Sequence, residues 1–585
     1  MTSTVSSPPI SPGLLNELFL GELRWDLLWP FPVQDRRDRE IGDAAVAKLR
    51  KLLDDHLDPA EIDRTGKLPD GLVDLLRQEG YFGLLVDADL NGLRLSPLNA
   101  LRVLEASASY APAVALMLGT SNGFGAANYL PLIADGPLRE LLIKHVRGRS
   151  VFSTADTEAR GAVNDGRDTT AELVEDGAAY LISGEKIFIG NALVAGMMDV
   201  SATVSQDRVD QVRMFFVELD TPGITVSPIE FMGLHGAPFG RLRLDRVRVP
   251  AAQLIPSEAD LWRDDPVLVR LAVLGRMLTV APSSLAIAKL CLAWSRDFVS
   301  RRVVDGRPLG DFEEIQRMVA QTAADVFAIE AMTEWIMLSE SLADKAPELS
   351  AAKNVLSVTC WRAMDRTLSL LAAEGYETQD SKAARGARPL PVERLVRDAR
   401  GLRISGGVDF LLDLWTAQAA IESGYVDADQ RASVGSSDLV SPPALSPRCQ
   451  GHLAQVRTEA RALAEQSRQF IDQYGEKGLA DQEHRLVLLG QIGTSLLGMA
   501  VVLAKAARLA EDGDEIGLQL ADISCSQTRR ELAGLWPQLA GEAEPDCAAT
   551  SAAFLHGTSL DFLLNDVVRP ATPGADTDEG NDSDD

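Results

Sequence analysis

Cysteine is scarce in this chain, with five residues in 585 (Cys291, Cys360, Cys449, Cys525 and Cys547) and no CxxC spacing. That excludes a disulfide framework and a zinc-ribbon site, and it points to a reducing compartment. The six histidines are scattered with no HxxxH pair, so a metal centre is not expected. No apolar run approaches the roughly 20 residues that span a bilayer. The first residues, MTSTVSSPPISPG, lack a basic segment followed by an apolar core, so no secretory signal is read there. Basic residues are outnumbered, 57 Lys and Arg against 85 Asp and Glu, for a formal net charge of −28. Such a balance argues against nucleic acid as a partner and requires any anionic ligand to meet a local basic patch.

What remains is the composition of a folded protein: 46% hydrophobic and 24% charged residues. The chain is too long for one core, and its patterning changes along its length. Residues 1–40 hold an apolar, aromatic segment, LLNELFLGELRWDLLWPFP, which reads as a terminal arm packed on the core; an amphipathic helix is the alternative. Residues 41–150 show apolar positions at three- and four-residue steps, a helical domain. Residues 151–258 turn to short, β-rich, alternating segments such as AAYLISGEKIFIGNA and RLRLDRVRVP. Helical patterning returns over 259–430, then a Ser/Pro-rich linker (431–450), a further helical region (451–570) and an acidic tail (571–585). The fold class is therefore α+β, mainly α: a helical domain, a small β domain, a helical bundle and an additional C-terminal helical domain.

That order, together with VERLVRDARGLRISGGVD (392–409), GEKIFIGNA (184–192) and LRLDRVRVPAAQLI (242–255), resembles the acyl-CoA dehydrogenase family. Gly275–Arg276, the N-terminal LFLGEL…PFP and the segment 481–513 resemble its very-long-chain branch, so the likeness runs over about residues 11 to 570. The resemblance implies an FAD-dependent oxidoreductase acting on fatty acyl thioesters. A carboxylate takes the α-proton and the β-hydride passes to the flavin. It also implies a homodimer, or a heteromer with an active homologue, with electron-transfer flavoprotein as an acceptor. The reducing compartment read from the cysteines is expected to be the cytoplasm, with a membrane-peripheral location as the alternative.

Mapped residue by residue, the same resemblance predicts Thr157 on the flavin's pyrimidine edge and Phe188 over the ring system. Gly190 stands where a hydroxyl is usual. Arg301 or Arg302 reaches across a subunit interface to the FAD pyrophosphate of a neighbour, and Ser369 and Gly375 lie along the adenosine half, with Ala372 and Ala373 in place of glycines. Val163 (or Asn164) and Arg276 are predicted on the substrate side. The family's base position reads Gly406, which has no side chain to accept a proton. Asp409, three residues on, would lie about 5 Å along the axis if the segment were helical. A base must come within about 3 Å of its proton. Three readings stay open: an active dehydrogenase, a catalytically deficient partner or thioester-binding subunit, and a flavin-dependent oxygenase on the same fold.

Overall fold

The computed structural model describes residues 13–161, 166–206, 209–257, 266–339, 345–426, 444–541, 546–557 and 559–567. Seven helices open the chain: α1 (Leu14–Phe19), α2 (Arg36–His56), α3 (Pro59–Thr65), α4 (Leu72–Gln78), α5 (Pro97–Tyr110), α6 (Pro112–Gly123) and α7 (Pro137–Arg147). Their starts follow local chemistry. The Asp35 carboxylate accepts from the backbone N–H of Arg37 and Asp38, and Ser96 caps α5 with Pro97 in the first turn. Pro112 lacks an N–H and restricts Ala111 to extended backbone, so the helical patterning of residues 41–150 is divided there into α5 and α6.

The sheet comprises β1 (Phe152–Ala155), β2 (Thr170–Val174), β3 (Ala179–Ile189), β4 (Met197–Gln206), β5 (Val209–Glu218), β6 (Ile224–Pro228) and β7 (Gly240–Pro250). Its order is β1-β4-β2-β3-β7-β6, with β5 paired to β4. β1 and β2 run parallel to β4; the other pairings are antiparallel. Alternation along β7 buries Leu242 and Leu244, then Val247 and Val249, the two runs brought onto one face by an irregularity at Asp245–Arg246, where Arg246 has φ 49°. The β3–β7 register slips between Lys186 and Ile189, which re-aims the backbone where the aromatic and glycine of GEKIFIGNA stand.

The second helical region comprises α8 (Pro266–Arg301), a hairpin of β8 (Val303–Val304) and β9 (Arg307–Pro308), α9 (Glu313–Met337), α10 (Ala346–Leu371), α11 (Ala373–Tyr376), α12 (Gln379–Ala384), α13 (Val392–Leu402) and α14 (Asp409–Ile421). The extension holds α15 (Pro447–Ala480), α16 (Glu483–Glu511) and α17 (Ile516–Leu539). Ser446 caps α15 with Pro447 in its first turn, so the end of the segment read as linker is helix. Helices Leu274–Arg301 and Glu483–Glu511 are long and apolar enough to cross a membrane, but their apolar windows are 78% buried inside the fold. They are core helices.

The chain up to Leu532 forms one compact unit and Ala533–Asp585 a second. Within the second, α18 (Cys547–Leu555) and the turn Asp561–Leu564 leave Phe554, Leu555, Phe562 and Leu563 exposed.

Two charged networks tie the first unit together. Lys289 of α8 pairs with Glu105 of α5 (2.8 Å) and Glu330 of α9 (2.9 Å), while Lys505 of α16 reaches Glu334 (3.1 Å) and Glu330 (3.6 Å). On α13, Arg397 binds Asp63 through two 2.8 Å contacts and donates to the Met232 carbonyl (3.1 Å), and Asp398 accepts the Leu234 N–H (2.5 Å). Arg394 donates to the Pro59 carbonyl (2.8 Å). Arg394, Arg397 and Asp398 of α13 thus tie both other domains to the stretch just ahead of the Gly406–Gly407 loop. Burial raises the pKa of Asp398 to about 6.

Candidate functional site

The Thr157 turn is held by a buried ion pair. Lys186 Nζ donates to Glu158 (2.7 Å), to Ser201 Oγ (3.0 Å) and to the Asp156 carbonyl (3.3 Å). Glu158 also accepts the backbone N–H of Asp168 (2.6 Å) and Thr169 (3.0 Å), and the Thr157 carbonyl accepts from Ile187 N–H (2.9 Å). Burial works to raise the Glu158 pKa, but the Lys186 and Thr169 hydrogen bonds outweigh it and hold it below the ordinary carboxylate value. Arg167 clasps Asp156 at 2.8 and 2.9 Å from the other side. These side chains fix the turn on β3 before any ligand arrives.

Just beyond, Phe188 takes a positive φ of 59° and remains 52% exposed, its ring 5.6 Å from Phe231, which meets Phe239 edge-on at 4.7 Å. A bulky residue in that backbone region is strained, and here the strain coincides with an uncovered aromatic surface. The Gly190 carbonyl accepts from Ser153 Oγ. A Cβ at Gly190 would find only ordinary contacts, 3.6–3.8 Å from Thr120 and Phe239, so the missing hydroxyl is not excluded by space. Val163 and Asn164 lie outside the described residues.

At the base position, residues 403–406 form turns rather than a continuous helix, so the one-turn offset inferred for Asp409 does not apply. Gly406 adopts φ +70°, and a Cβ there would sit 3.0 Å from Arg276 Cγ. The two stretches that could supply a base, 405–408 and 275–276, therefore meet. Neither presents a carboxylate. A side chain at Gly275 would overlap the Phe124 ring. Arg276 lies over Trp415 (5.8 Å), and burial lowers its pKa to about 10. Asp409 begins α14 and accepts from Arg403 Nε at 2.8 Å, which turns its carboxylate toward its own loop.

The residue missed from sequence is Lys353. It is fully buried on α10, and its Nζ donates to the carbonyls of Gly407 (2.7 Å) and Arg403 (3.2 Å), clamping the glycine loop from behind. Burial pushes its pKa down to about 7. Neighbouring Asp413, bonded to Asn354 (2.8 Å), is pushed up to about 7 by burial. A signal existed: Lys353 interrupts the apolar stripe Leu349, Leu356, Cys360 at helical spacing, and a cation in such a stripe needs partners.

At the third location, the end of α8 meets the α10–α11 junction. Arg301 Nη2 binds Glu374 at 2.5 Å and its Nε binds Asp297 at 3.2 Å; Arg302 reaches Glu374 at 3.7 Å. Both guanidiniums lie against Phe298. Arg388, from the segment 381–391 that begins in α12, also binds Asp297, while Arg385 binds Glu377 and buried Lys382 donates to the Leu390 carbonyl (2.5 Å). Seven of the eleven residues 381–391 are exposed, and the segment is pinned to the body by buried Lys382 and by Arg388. Ser369 sits in the last turn of α10, and its carbonyl accepts the Ala372 N–H (3.3 Å). Gly375 is buried against Leu368 and Leu371. Ala372 has φ 51° and ψ −136°, a conformation suited to glycine. Ala372→Gly is expected to stabilise the protein by about 1 kcal/mol, read as a rise in the urea midpoint at unchanged slope.

FAD, the group such a fold implies, is met unevenly by these residues. The ring end fits: a preformed turn, an exposed aromatic and open space at Gly190. The diphosphate end does not, because a carboxylate holds both candidate arginines and a methyl group stands on the strained backbone beside it.

Family models for the N-terminal, middle and C-terminal domains of acyl-CoA dehydrogenase match residues 42–136, 153–247 and 271–420. The chain is 30% identical over 568 residues to the probable acyl-CoA dehydrogenase FadE10 of Mycobacterium tuberculosis, covering 90% of this chain and 86% of that one. It is 23% identical over 536 residues to the mitochondrial very long-chain specific acyl-CoA dehydrogenase of Homo sapiens, covering 85% and 79%. The fold matches a crystal structure of an acyl-CoA dehydrogenase complexed with FAD from Bacillus anthracis, with a TM-score of 0.71, 18% identity and coverage of 92% and 94%. With three domain models in family order and similarity extending through the C-terminal helices, this chain belongs to the acyl-CoA dehydrogenase family.

Proposed function

We propose that this protein binds fatty acyl thioesters in the family's cleft but does not dehydrogenate them by the family's route. The observation that carries the reading is Gly406, backed by Arg276 Cγ at 3.0 Å from where its Cβ would be. Removal of an α-proton needs an acceptor within about 3 Å, and loss of that one group forfeits roughly 10²–10⁴-fold in rate. Asp409 is spent on Arg403, and Asp413 on Asn354. A cation beside the Gly406 turn suits the anionic CoA end of a thioester, and this is the role we assign to Arg276. We further propose that the protein acts as a homodimer or as the thioester-holding partner of an active homologue.

The test is direct. Palmitoyl-CoA titrated into the full-length protein in a calorimeter should give a saturable isotherm. Anaerobic incubation of protein, FAD and palmitoyl-CoA should yield no 2-enoyl thioester by mass spectrometry. Enoyl product from the wild-type protein, or no thioester binding, overturns the reading. Gly406→Glu is the informative variant because Gly275 has no room for a side chain, whereas at Gly406 the neighbour is a flexible arginine stem. Its φ of +70° costs the variant about 1–2 kcal/mol, which a domain of this size tolerates. Product appearing only in Gly406→Glu assigns the deficit to the base alone.

A further inference from the structure

We propose that Glu374 is an internal counter-anion that occupies the Arg301–Arg302 pair and sets the flavin preference of this chain, withholding from FAD the diphosphate contacts that would favour it over FMN. The inference does not rest on the thioester reading, and flavin titration tests it without substrate.

Three guanidiniums gather where the end of α8, the β8–β9 hairpin and the segment 381–391 come together: Arg301, Arg302 and Arg388. Two carboxylates meet them. Asp297 takes Arg301 (3.2 Å) and Arg388; Glu374 takes Arg301 (2.5 Å) and Arg302 (3.7 Å). The remaining formal charge is about +1, three cations against two anions, whereas a dinucleotide's diphosphate brings two negative charges. Admitting it would require the arginines to leave Glu374, and the abandoned carboxylate would then face the phosphates. Glu374 cannot readily move away. Its side chain is only 17% exposed, and it stands on α11, a single turn whose entry residue, Ala372, is held at φ 51°. The arginines are also restrained by Phe298, at 5.3 and 5.0 Å.

The ring end is assembled from different parts, the Lys186–Glu158 pair and the Thr157 turn, and Glu374 has no part in it. The two ends can therefore be separated by ligand length. FMN tests the ring end alone, and FAD tests both.

Full-length protein is titrated with FMN and with FAD by flavin fluorescence at fixed ionic strength. The wild type should bind the two within a few-fold of each other. Glu374→Gln should tighten FAD about tenfold, the scale of one partly exposed charge conflict, and leave FMN unchanged. Adding Arg301→Gln and Arg302→Gln to that variant should remove the gain. Glu374→Asn serves as a second variant, with circular dichroism to establish that each is folded. Wild-type protein that holds FAD tens of fold tighter than FMN overturns the proposal. So does FAD affinity unchanged in both Glu374 variants, or equal tightening of the two flavins.

Discussion

Lys186→Met is expected to cost about 3–5 kcal/mol of stability at neutral pH, because it leaves the Glu158 carboxylate buried without its cation. The side chains are 0% and 5% exposed, so water cannot replace the lost contact. The remaining donors, the backbone N–H groups of Asp168 and Thr169, satisfy hydrogen bonds but not charge. The pH dependence distinguishes this from simple loss of packing. In the wild type the folded-state pKa of Glu158 is depressed, so its stabilisation is present above the unfolded value near 4.3 and fades as pH falls through the lower folded value. In the variant the carboxylate is desolvated without compensation and its folded pKa rises above the unfolded one. The deficit should therefore shrink as pH drops from 7 toward 4 and the variant takes up its proton. Urea unfolding followed by circular dichroism across that range measures it. A deficit independent of pH would mean that the lysine contributes only its methylene stem.

This pair also shows how much of the site could be read from the sequence. GEKIFIGNA and the Thr157–Glu158 dipeptide were legible because each has a fixed place beside a strand, and the structure brings them together. What could not be read was that Glu158 and Lys186 are partners, since they are 28 residues apart and nothing local couples them. The glycine at the family's base position was legible from a single letter, Gly406. Its backing by Arg276 was not, because that depends on how α8 and the 403–408 turn pack. That Lys382 is buried and Arg388 is bound to Asp297 could not be read either, because both depend on how residues 381–391 pack. The helices were read from periodicity, which reports a buried stripe. It does not report where a Pro such as Pro112 divides one stripe into two, nor that Lys353 uses its place on the stripe to hold a loop.

Gly490→Leu should detach the extension from the bundle locally, at a cost of about 1–3 kcal/mol or more from overpacking. Gly490 is buried on α16 where that helix crosses α14, and any Cβ would overlap the Asp413 carbonyl oxygen, a backbone atom that cannot rotate away. Gly493, one turn on, is pressed by the Phe19 ring of α1 in the same way, so α16 offers a small-residue face to both neighbours. Helical propensity alone would favour Leu over Gly by about 0.8 kcal/mol, so the sign of the result separates packing from propensity. Separation at this crossing should also be felt at the 403–408 turn. Asp413 sits on α14 between Asn354 and the α16 crossing, and α14 follows directly from the glycine loop that Lys353 clamps. Hydrogen exchange followed by mass spectrometry should show faster exchange in peptides covering 403–421 as well as in α16, with α5 and α6 unchanged. Faster exchange confined to α16 would mean that the extension is held independently of the loop, and that α14 does not transmit the strain.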